Sequence, residues 1–219
     1  MKIGIIGAGN IGATLARKLA ACGHEVKLAN SKNPQSIQDL ANEIGVRAVT
    51  KEDAVSDVDA VILSIPFAKY PDLRQTLSHV PEKVVVIDTS NYYPGRDGAI
   101  KEVDDGKPES IWVSEQIGRP VVKAWNAVLA ATLADKGQPA GSSTRIALPV
   151  AGDDPYAEAI AQDLVEDTGF TALAAGSLES SWHQQPGTPA YCTELTLPEL
   201  KSALCAADKI RAPQNRDAL

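Results

Sequence analysis

A glycine-rich turn close to the start of the chain constrains the fold more than any other feature. The residues Gly7-Ala8-Gly9-Asn10-Ile11-Gly12 follow an apolar run, Lys2–Ile6, and open the segment Asn10–Ala21, whose apolar side chains recur at helical spacing. A GxGxxG sequence between a strand and a helix is the fingerprint of a dinucleotide-binding βαβ unit, whereas the bare motif is weak evidence. The context therefore predicts a nucleotide site, and a glycine-rich turn without a ligand is the alternative.

Each glycine has its own role in this fingerprint. We expect Gly7 to allow the tight turn, Gly9 to let the backbone approach a pyrophosphate, and Gly12 to let the helix pack closely on the strand. The amides at the helix start, from Gly9 through Asn10 to Ile11, are expected to face the pyrophosphate oxygens, because the positive end of the helix dipole attracts anions.

The first half of the chain alternates short apolar runs with amphipathic segments. This pattern is typical of a parallel sheet covered by helices on both faces. The predicted strands after the first are residues 25–29, 46–49, 60–65, 84–87 and 121–125. The predicted fold class is therefore α/β, a doubly wound and mostly parallel sheet of the Rossmann type.

The last third of the chain predicts two more strands and a helical appendage. Strands at 145–150 and 170–173 flank a helix at 155–168, and we expect them to continue the same sheet. After an irregular stretch, the capping box from Thr196 to Glu199 begins a helix that runs to about Ile210. The organisation predicted is a nucleotide-binding domain, 1–176, with a C-terminal tail, 177–219, packed on the same domain.

Composition excludes several classes of partner. The 219 residues carry a formal net charge of −7, which disfavours a general nucleic-acid surface or an anionic membrane surface. The three cysteines form no CxxC pair, so we expect reduced thiols, no metal site and a cytoplasmic location. No apolar run approaches the ~18 residues that a membrane span needs.

The end of the second predicted strand indicates which nucleotide binds. An NAD enzyme is expected to place Asp or Glu there, where it accepts hydrogen bonds from the ribose 2′-hydroxyl. This chain has Asn30, Ser31 and Lys32 instead, which offer two hydrogen-bond donors and a positive charge. The sequence therefore favours NADP(H), and a solvated loop that accepts either cofactor is the alternative.

Two other strand ends are expected to meet the nicotinamide. Ser64, Ile65 and Pro66 follow the fourth strand, and Asn91 follows the fifth, at the carboxyl edge where doubly wound sheets bind ligands. Ile65 and Pro66 are predicted to pack on the nicotinamide ring, and Asn91 to bond to the nicotinamide or the substrate. The alternatives are an ordinary strand end and an Asx turn before Pro94.

Five further residues are candidates for a substrate pocket. Lys123 and Asn126 surround the end of the sixth strand, and Trp182, His183 and Gln185 lie in the irregular part of the tail. No Ser-His-Asp set, metal-ligand spacing or carboxylate pair is present, so no catalytic residue is assigned. A hydride-transfer enzyme needs few such groups, because the cofactor carries the chemistry.

Taken together, these segments resemble the coenzyme F420-dependent NADP oxidoreductase family, whose domain also occurs in STEAP-type metalloreductases. The resemblance covers residues 1 to about 176, and its matching segments are 7–12, 30–32, 64–66, 88–91, 122–126 and 150–154. It implies a Rossmann domain that binds NADP(H), with Ser31 and Lys32 at positions where relatives hold the 2′-phosphate with Ser and Arg. It also suggests a homodimer and hydride exchange with a flavin-like or deazaflavin acceptor. Coenzyme F420 is one candidate, although the tail from Trp182 to Pro189 departs from the C-terminus of the deazaflavin enzymes.

The leading hypothesis is an oxidoreductase that moves a hydride between NADP(H) and a small acceptor. The acceptor is expected to stack between Ile65-Pro66, Asn91 and the stretch 182–185. One alternative is a non-catalytic NADP(H)-binding redox sensor or interaction protein. Another is a carbonyl or imine reductase, in which Lys123 or His183 would supply the proton.

Overall fold

The computed structural model describes residues 1–209 of the chain. Six parallel strands form one sheet in the order β3-β2-β1-β4-β5-β6, which is a doubly wound arrangement with its switch point beside β1. The strands are β1 (Lys2–Ile6), β2 (Glu25–Ala29), β3 (Arg47–Ala48), β4 (Ala60–Leu63), β5 (Val85–Asp88) and β6 (Val122–Lys123). The predicted α/β class is confirmed.

Helices and short 3-10 turns connect and cover the strands. The helices are α1 (Asn10–Ala21), α2 (Gln38–Ile44), α3 (Lys51–Ala54), α4 (Arg74–Leu77), α5 (Pro94–Asp97), α6 (Lys101–Asp104), α7 (Glu109–Ile117), α8 (Ala130–Asp135), α9 (Pro155–Asp167) and α10 (Leu197–Cys205). The 3-10 turns are Pro34–Ile37, Phe67–Leu73 and Leu178–Gln184.

The central strands bury both of their faces, which explains why they are continuously apolar. Ile62 of β4 packs in one core cluster with Leu15 of α1 and Leu164 of α9. Its neighbour Leu63 packs in a second cluster, on the opposite face, with Trp112 of α7. Side chains of a strand point alternately to the two faces, so one apolar run supplies both cores.

The last two strands do not continue the main sheet, and that expectation was wrong. β7 (Ala147–Val150) and β8 (Thr171–Ala174) pair in parallel as a separate two-stranded sheet around α9. An isolated antiparallel bridge joins Lys123 to Ala151, just beyond the end of β7. The segment that follows β7 runs antiparallel to β6 at this bridge, so β7 does not extend the parallel sheet.

The tail contains the predicted capping box. The Thr196 amide donates to Glu199 Oε2 at 2.8 Å, and α10 begins at Leu197. α10 ends at Cys205, and Ile210, where the helix was predicted to end, lies outside the described residues. Leu200 of α10 packs against Ala147 of β7 and Ala190. No helix within residues 1–209 is long and apolar enough to cross a bilayer.

Candidate functional site

A cleft of about 380 Å³ opens at the carboxyl ends of β1, β4 and β5. We call one end of it the glycine end, formed by Gly9, Asn10 and Ile11. We call the other the tyrosine end, formed by Tyr93, Arg96, Leu129, Tyr191 and Cys192. The lining residues between them are Ser64, Ile65, Pro66, Thr89, Ser90, Asn91, Val128 and Ala130.

The turn at the glycine end is built by close backbone contacts. Gly7 has a φ of +115°, and a Cβ there would lie 1.9 Å from the Ser64 carbonyl oxygen. A Cβ on Gly12 would lie 1.9 Å from the Gly7 carbonyl oxygen, which confirms that α1 packs directly on the turn. No side chain is compatible with either contact.

Gly9 is different, because a Cβ there would meet nothing within 4 Å. Gly9 is the N-cap of α1 and makes no side-chain cap, so the first amides of this 12-residue helix have no capping side chain. Those amides and the helix dipole form an anion site that opens onto the cleft. The glycine end therefore fits a diphosphate group.

The loop after β2 presents two exposed side chains, Ser31 and Lys32. Asn30 is engaged within the loop itself: its Nδ2 donates to Ser36 Oγ at 2.7 Å, and its Oδ1 accepts from the Lys32 amide at 3.0 Å. Asn30 thus shapes the loop, and Ser31 and Lys32 are the groups available to a phosphate. These two side chains fit a 2′-phosphate, since both donate hydrogen bonds and one carries a positive charge.

Asn91 lines the cleft and is held by Asn126. Asn91 Nδ2 donates to the Asn126 carbonyl oxygen at 2.9 Å, and Asn126 Nδ2 donates to Asn91 Oδ1 at 3.0 Å. Asn126 also bonds to the backbone and side chain of Gln184 at 2.7 and 2.9 Å. The structure therefore places Asn126 behind the cleft wall, where it fixes the position of Asn91.

Lys123 lies in a buried ionic cluster rather than in the cleft. Its side chain has no exposed surface, and its ammonium lies 3.5 Å from Asp88 and 3.7 Å from Glu109. It also donates to the Ser90 carbonyl oxygen at 3.1 Å. Lys123 consequently anchors the segment after β5 and does not reach a ligand in the cleft.

Asp88 is the anionic centre of that cluster. It accepts hydrogen bonds from the hydroxyls of Tyr70, Ser90 and Ser110 at 2.6 to 2.7 Å. Burial alone raises the pKa of Asp88, but Lys123 and these hydroxyls outweigh it, and the pKa lies below its ordinary value. The carboxylate is therefore ionised and fixes the end of β5 beneath the cleft.

The structure does not bring Trp182, His183 and Gln185 into the cleft lining. The rings of Trp182 and His183 stack on each other at 3.7 Å, and His183 Nδ1 bonds to the Ser180 carbonyl at 2.7 Å. Gln185 is buried, with 2% of its surface exposed. These residues pack the tail onto the domain.

The tyrosine end was largely missed by the sequence reasoning. The hydroxyls of Tyr93 and Tyr191 form a short hydrogen bond with each other. The Arg96 guanidinium lies 5.0 Å from the centroid of the Tyr93 ring and donates to the Asn91 carbonyl oxygen at 2.7 Å. Tyr93 and Arg96 follow Asn91 closely, which is a usable signal, but nothing in the local sequence marks Tyr191.

Within residues 1–209, no group of three or more His, Cys, Asp or Glu side chains is placed to hold a metal ion. The cleft's polar groups are backbone amides, hydroxyls, two amide side chains, a thiol and a guanidinium. Together the doubly wound sheet and the glycine turn define a dinucleotide-binding protein of the Rossmann type.

Comparison with known proteins matches the N-terminal part of the chain to a family. Residues 2–92 match the family described as NADP oxidoreductase, coenzyme F420-dependent. The match covers less than half of the chain, and over these residues it confirms the resemblance that the sequence motifs predict.

Solved structures of similar proteins extend the likeness over most of the chain. A hypothetical protein from Sinorhizobium meliloti, SMa0349, is 30% identical, with a TM-score of 0.76 over 89% of this chain and 95% of that one. A protein from Arthrobacter sp. FB24, described as a candidate F420-dependent NADP reductase, is 21% identical, with a TM-score of 0.67 over 83% and 87%. The second likeness concerns the fold alone.

One curated relative matches a shorter stretch. The Escherichia coli K12 protein YjhV is 50% identical over 56 residues, which is 26% of this chain. The chain spans 41% of the length of that relative.

Proposed function

We propose that this protein transfers a hydride between NADP(H) and a small, flavin-like or deazaflavin acceptor. The observation that carries the proposal is the continuity of the cleft, which runs from the amides of the glycine end to the hydroxyls and guanidinium of the tyrosine end. A nucleotide on the glycine end and an acceptor on the tyrosine end would share this one cleft, between walls formed by Ile65 and Asn91.

The residues that would hold NADP(H) are those at the ends of β1, β2 and β4. The amides of Gly9 to Ile11 would bind the diphosphate, and Ser31 and Lys32 the 2′-phosphate. Ile65 and Pro66 would support one face of the nicotinamide. When bound, the cofactor supplies a hydride at its nicotinamide ring.

The acceptor side of this proposal differs from the sequence-based hypothesis. Trp182, His183 and Gln185 lie outside the cleft lining, so the acceptor would contact Asn91 and the tyrosine end, which line the cleft together with Ile65 and Pro66. A carbonyl or imine acceptor would likewise have to obtain its proton at the tyrosine end, because Lys123 is fully buried in its ion cluster.

The test begins with cofactor binding and then adds acceptors. Calorimetric titration with NADPH and NADH measures the site, and loss of NADPH absorbance measures turnover with riboflavin, FMN, coenzyme F420, menadione and a cyclic imine. We expect NADPH to bind more tightly than NADH and at least one ring acceptor to be reduced. Tight NADPH binding without turnover of any acceptor would contradict hydride transfer and favour a redox sensor.

Two further predictions belong to this proposal. The family resemblance implies a homodimer, which analytical ultracentrifugation tests directly. A cytoplasmic location is consistent with Cys22, Cys192 and Cys205, which are free thiols in the structure, and fractionation of cells that express the tagged protein tests it.

A further inference from the structure

The tyrosine end holds two phenol groups that face each other inside the cleft. Tyr93 follows β5, and Tyr191 lies in the tail, 98 residues further along the chain. Their hydroxyls are hydrogen-bonded to each other, and both residues line the cleft. Such a pair needs an explanation, because each hydroxyl carries one proton and only one of the two protons lies between the oxygens.

Counting donors shows that one proton is left over. Within residues 1–209, neither hydroxyl donates to a protein oxygen or nitrogen other than that of its partner. The nearby amide of Asn91 is itself a donor, with its Nδ2 3.5 Å from the Tyr191 oxygen. The thiol of Cys192, which interacts with Tyr191, is a weak acceptor. A ligand in the cleft is therefore the natural acceptor for the remaining O–H group.

The surroundings favour Tyr191 as the group that presents this proton. When Tyr93 donates to Tyr191, the Tyr191 oxygen receives two hydrogen bonds, from Tyr93 and from Asn91. Hydrogen bonds received by an oxygen polarise the group and strengthen its own O–H as a donor.

We propose, building on the function proposed above, that Tyr191 is a catalytic proton donor to the acceptor and that Tyr93 and Arg96 position it. The acceptor class is a planar, conjugated carbonyl compound of the quinone or isoalloxazine type. Tyr191 donates a hydrogen bond to the oxygen or ring nitrogen that becomes electron-rich during reduction.

The step balances as an ordinary two-electron reduction. The acceptor gains a hydride, with its electron pair, from the nicotinamide C4, and the displaced π electrons move to its oxygen or ring nitrogen. That atom forms a bond to the Tyr191 proton as the O–H bond breaks. The phenolate left on Tyr191 takes a proton from Tyr93, which recovers one from water at the half-exposed mouth of the cleft.

Protonation states are compatible with this role. Burial raises the pKa of Tyr93 and that of Tyr191, so both carry their protons at neutral pH. Burial also raises the pKa of Cys192 to about 11, and the thiol is therefore neutral and does not compete as an anion. Arg96 lies on the Tyr93 ring and is itself fixed by Asp97, at 2.8 and 3.0 Å.

The test compares Tyr191→Phe and Tyr93→Phe with Tyr156→Phe as a matched control. Tyr156 is 63% exposed and lies outside the cleft. With menadione or riboflavin as acceptor, we expect Tyr191→Phe to lower kcat about 100-fold, which is at the low end for loss of a positioned proton donor. Tyr93→Phe should lower it about tenfold, because Tyr191 still donates. The KM for NADPH should not change in either variant.

A binding measurement makes the inference independent of turnover. Quenching of riboflavin fluorescence by the NADP⁺-loaded protein should show roughly threefold to tenfold weaker binding to Tyr191→Phe, as expected for one lost hydrogen bond. The control variant should match the wild type in both assays.

The outcomes separate this inference from the proposed function. Failure of the wild type to bind NADPH would overturn the function itself. Normal NADPH binding, combined with equal rates and equal riboflavin affinity for Tyr191→Phe and the wild type, would overturn the role of Tyr191 alone. Binding of NADPH with no binding or reduction of riboflavin and menadione would overturn the acceptor class and leave the cofactor site standing.

Discussion

The two ends of the cleft are built in different ways. The glycine end is local and made of backbone: three glycines and the first turn of α1 lie within six consecutive residues. The tyrosine end is assembled from side chains of distant segments, and Tyr93 follows a segment that the buried Lys123 holds through the Ser90 carbonyl oxygen. The comparison indicates that the cofactor site is a property of the fold, whereas the acceptor site depends on how the tail packs.

The largest effect should come from removing the buried positive charge of Lys123. Lys123→Met removes the cation that faces the buried Asp88 carboxylate, which costs about 3–5 kcal/mol of unfolding free energy. Lys101→Met is the matched control, because Lys101 is 83% exposed and its ion pair with Asp105 lies in solvent, where such pairs contribute little to stability. Urea denaturation measures both, and equal losses would show that the buried cluster contributes no more to stability than an exposed ion pair.

A second prediction separates packing from binding at the glycine end. Gly12→Ala places a Cβ against the Gly7 carbonyl oxygen and should lower stability by about 1–3 kcal/mol. The Cβ of Gly9→Ala contacts no other atom, so the free energy of unfolding of this variant should lie within about 0.5 kcal/mol of the wild-type value. The Gly9 variant should nevertheless bind NADPH about tenfold more weakly, because its Cβ occupies the open space through which the diphosphate approaches the helix amides. Unchanged NADPH affinity would mean that the diphosphate lies elsewhere.

A third prediction concerns which nucleotide the glycine end receives. Lys32→Glu should reduce the preference for NADPH over NADH by about tenfold to a hundredfold, because a charged hydrogen bond of roughly 1.5–3 kcal/mol is lost. NADH binding should change little, and Lys101→Glu should leave both affinities unaltered. Competitive titration measures the ratio. If the ratio of the NADPH and NADH affinities stays at its wild-type value, the loop after β2 does not determine which cofactor binds.

The smallest effect is expected in mild acid. The pKa of Asp88 is lower in the folded protein than its ordinary value of 3.8, so its contribution to stability is present above that value. The contribution is lost as the pH falls through the lower, folded-state pKa. Asp88→Asn should therefore flatten the fall in stability below pH 3.8, as measured by urea denaturation at successive pH values. An unchanged acid profile would show that other carboxylates determine it.

Much of the fold and of the glycine end could be predicted from the sequence. Strands that are buried on both faces have continuously apolar sequences, and all the residues that form the GxGxxG turn are adjacent in the sequence. Both features can therefore be recognised from short stretches of the chain. Asn91 was also predicted to lie at the right strand end. The separation of β7 and β8 from the main sheet could not be predicted, because strand direction is set by the path between strands and not by the composition of either strand.

The contacts of the tyrosine end could not be predicted from the sequence. Lys123 stands in an apolar run, and its partners, Asp88 and Glu109, belong to other elements that only folding brings together. Tyr191 carries no periodic pattern or motif, and its contact with Tyr93 joins residues 98 positions apart. Local sequence patterns do not predict ion pairs or hydroxyl pairs between residues that are far apart in the chain. The acceptor side of the site could therefore not be predicted from the sequence.

Calorimetric titration of the unmodified protein with NADPH, and separately with NADH, tests the central claim most directly. The account predicts saturable binding of both, with NADPH at least about tenfold tighter because Ser31 and Lys32 bind its additional phosphate. Absence of binding heat from either nucleotide over a range of temperatures, or equal dissociation constants for the two, would contradict it.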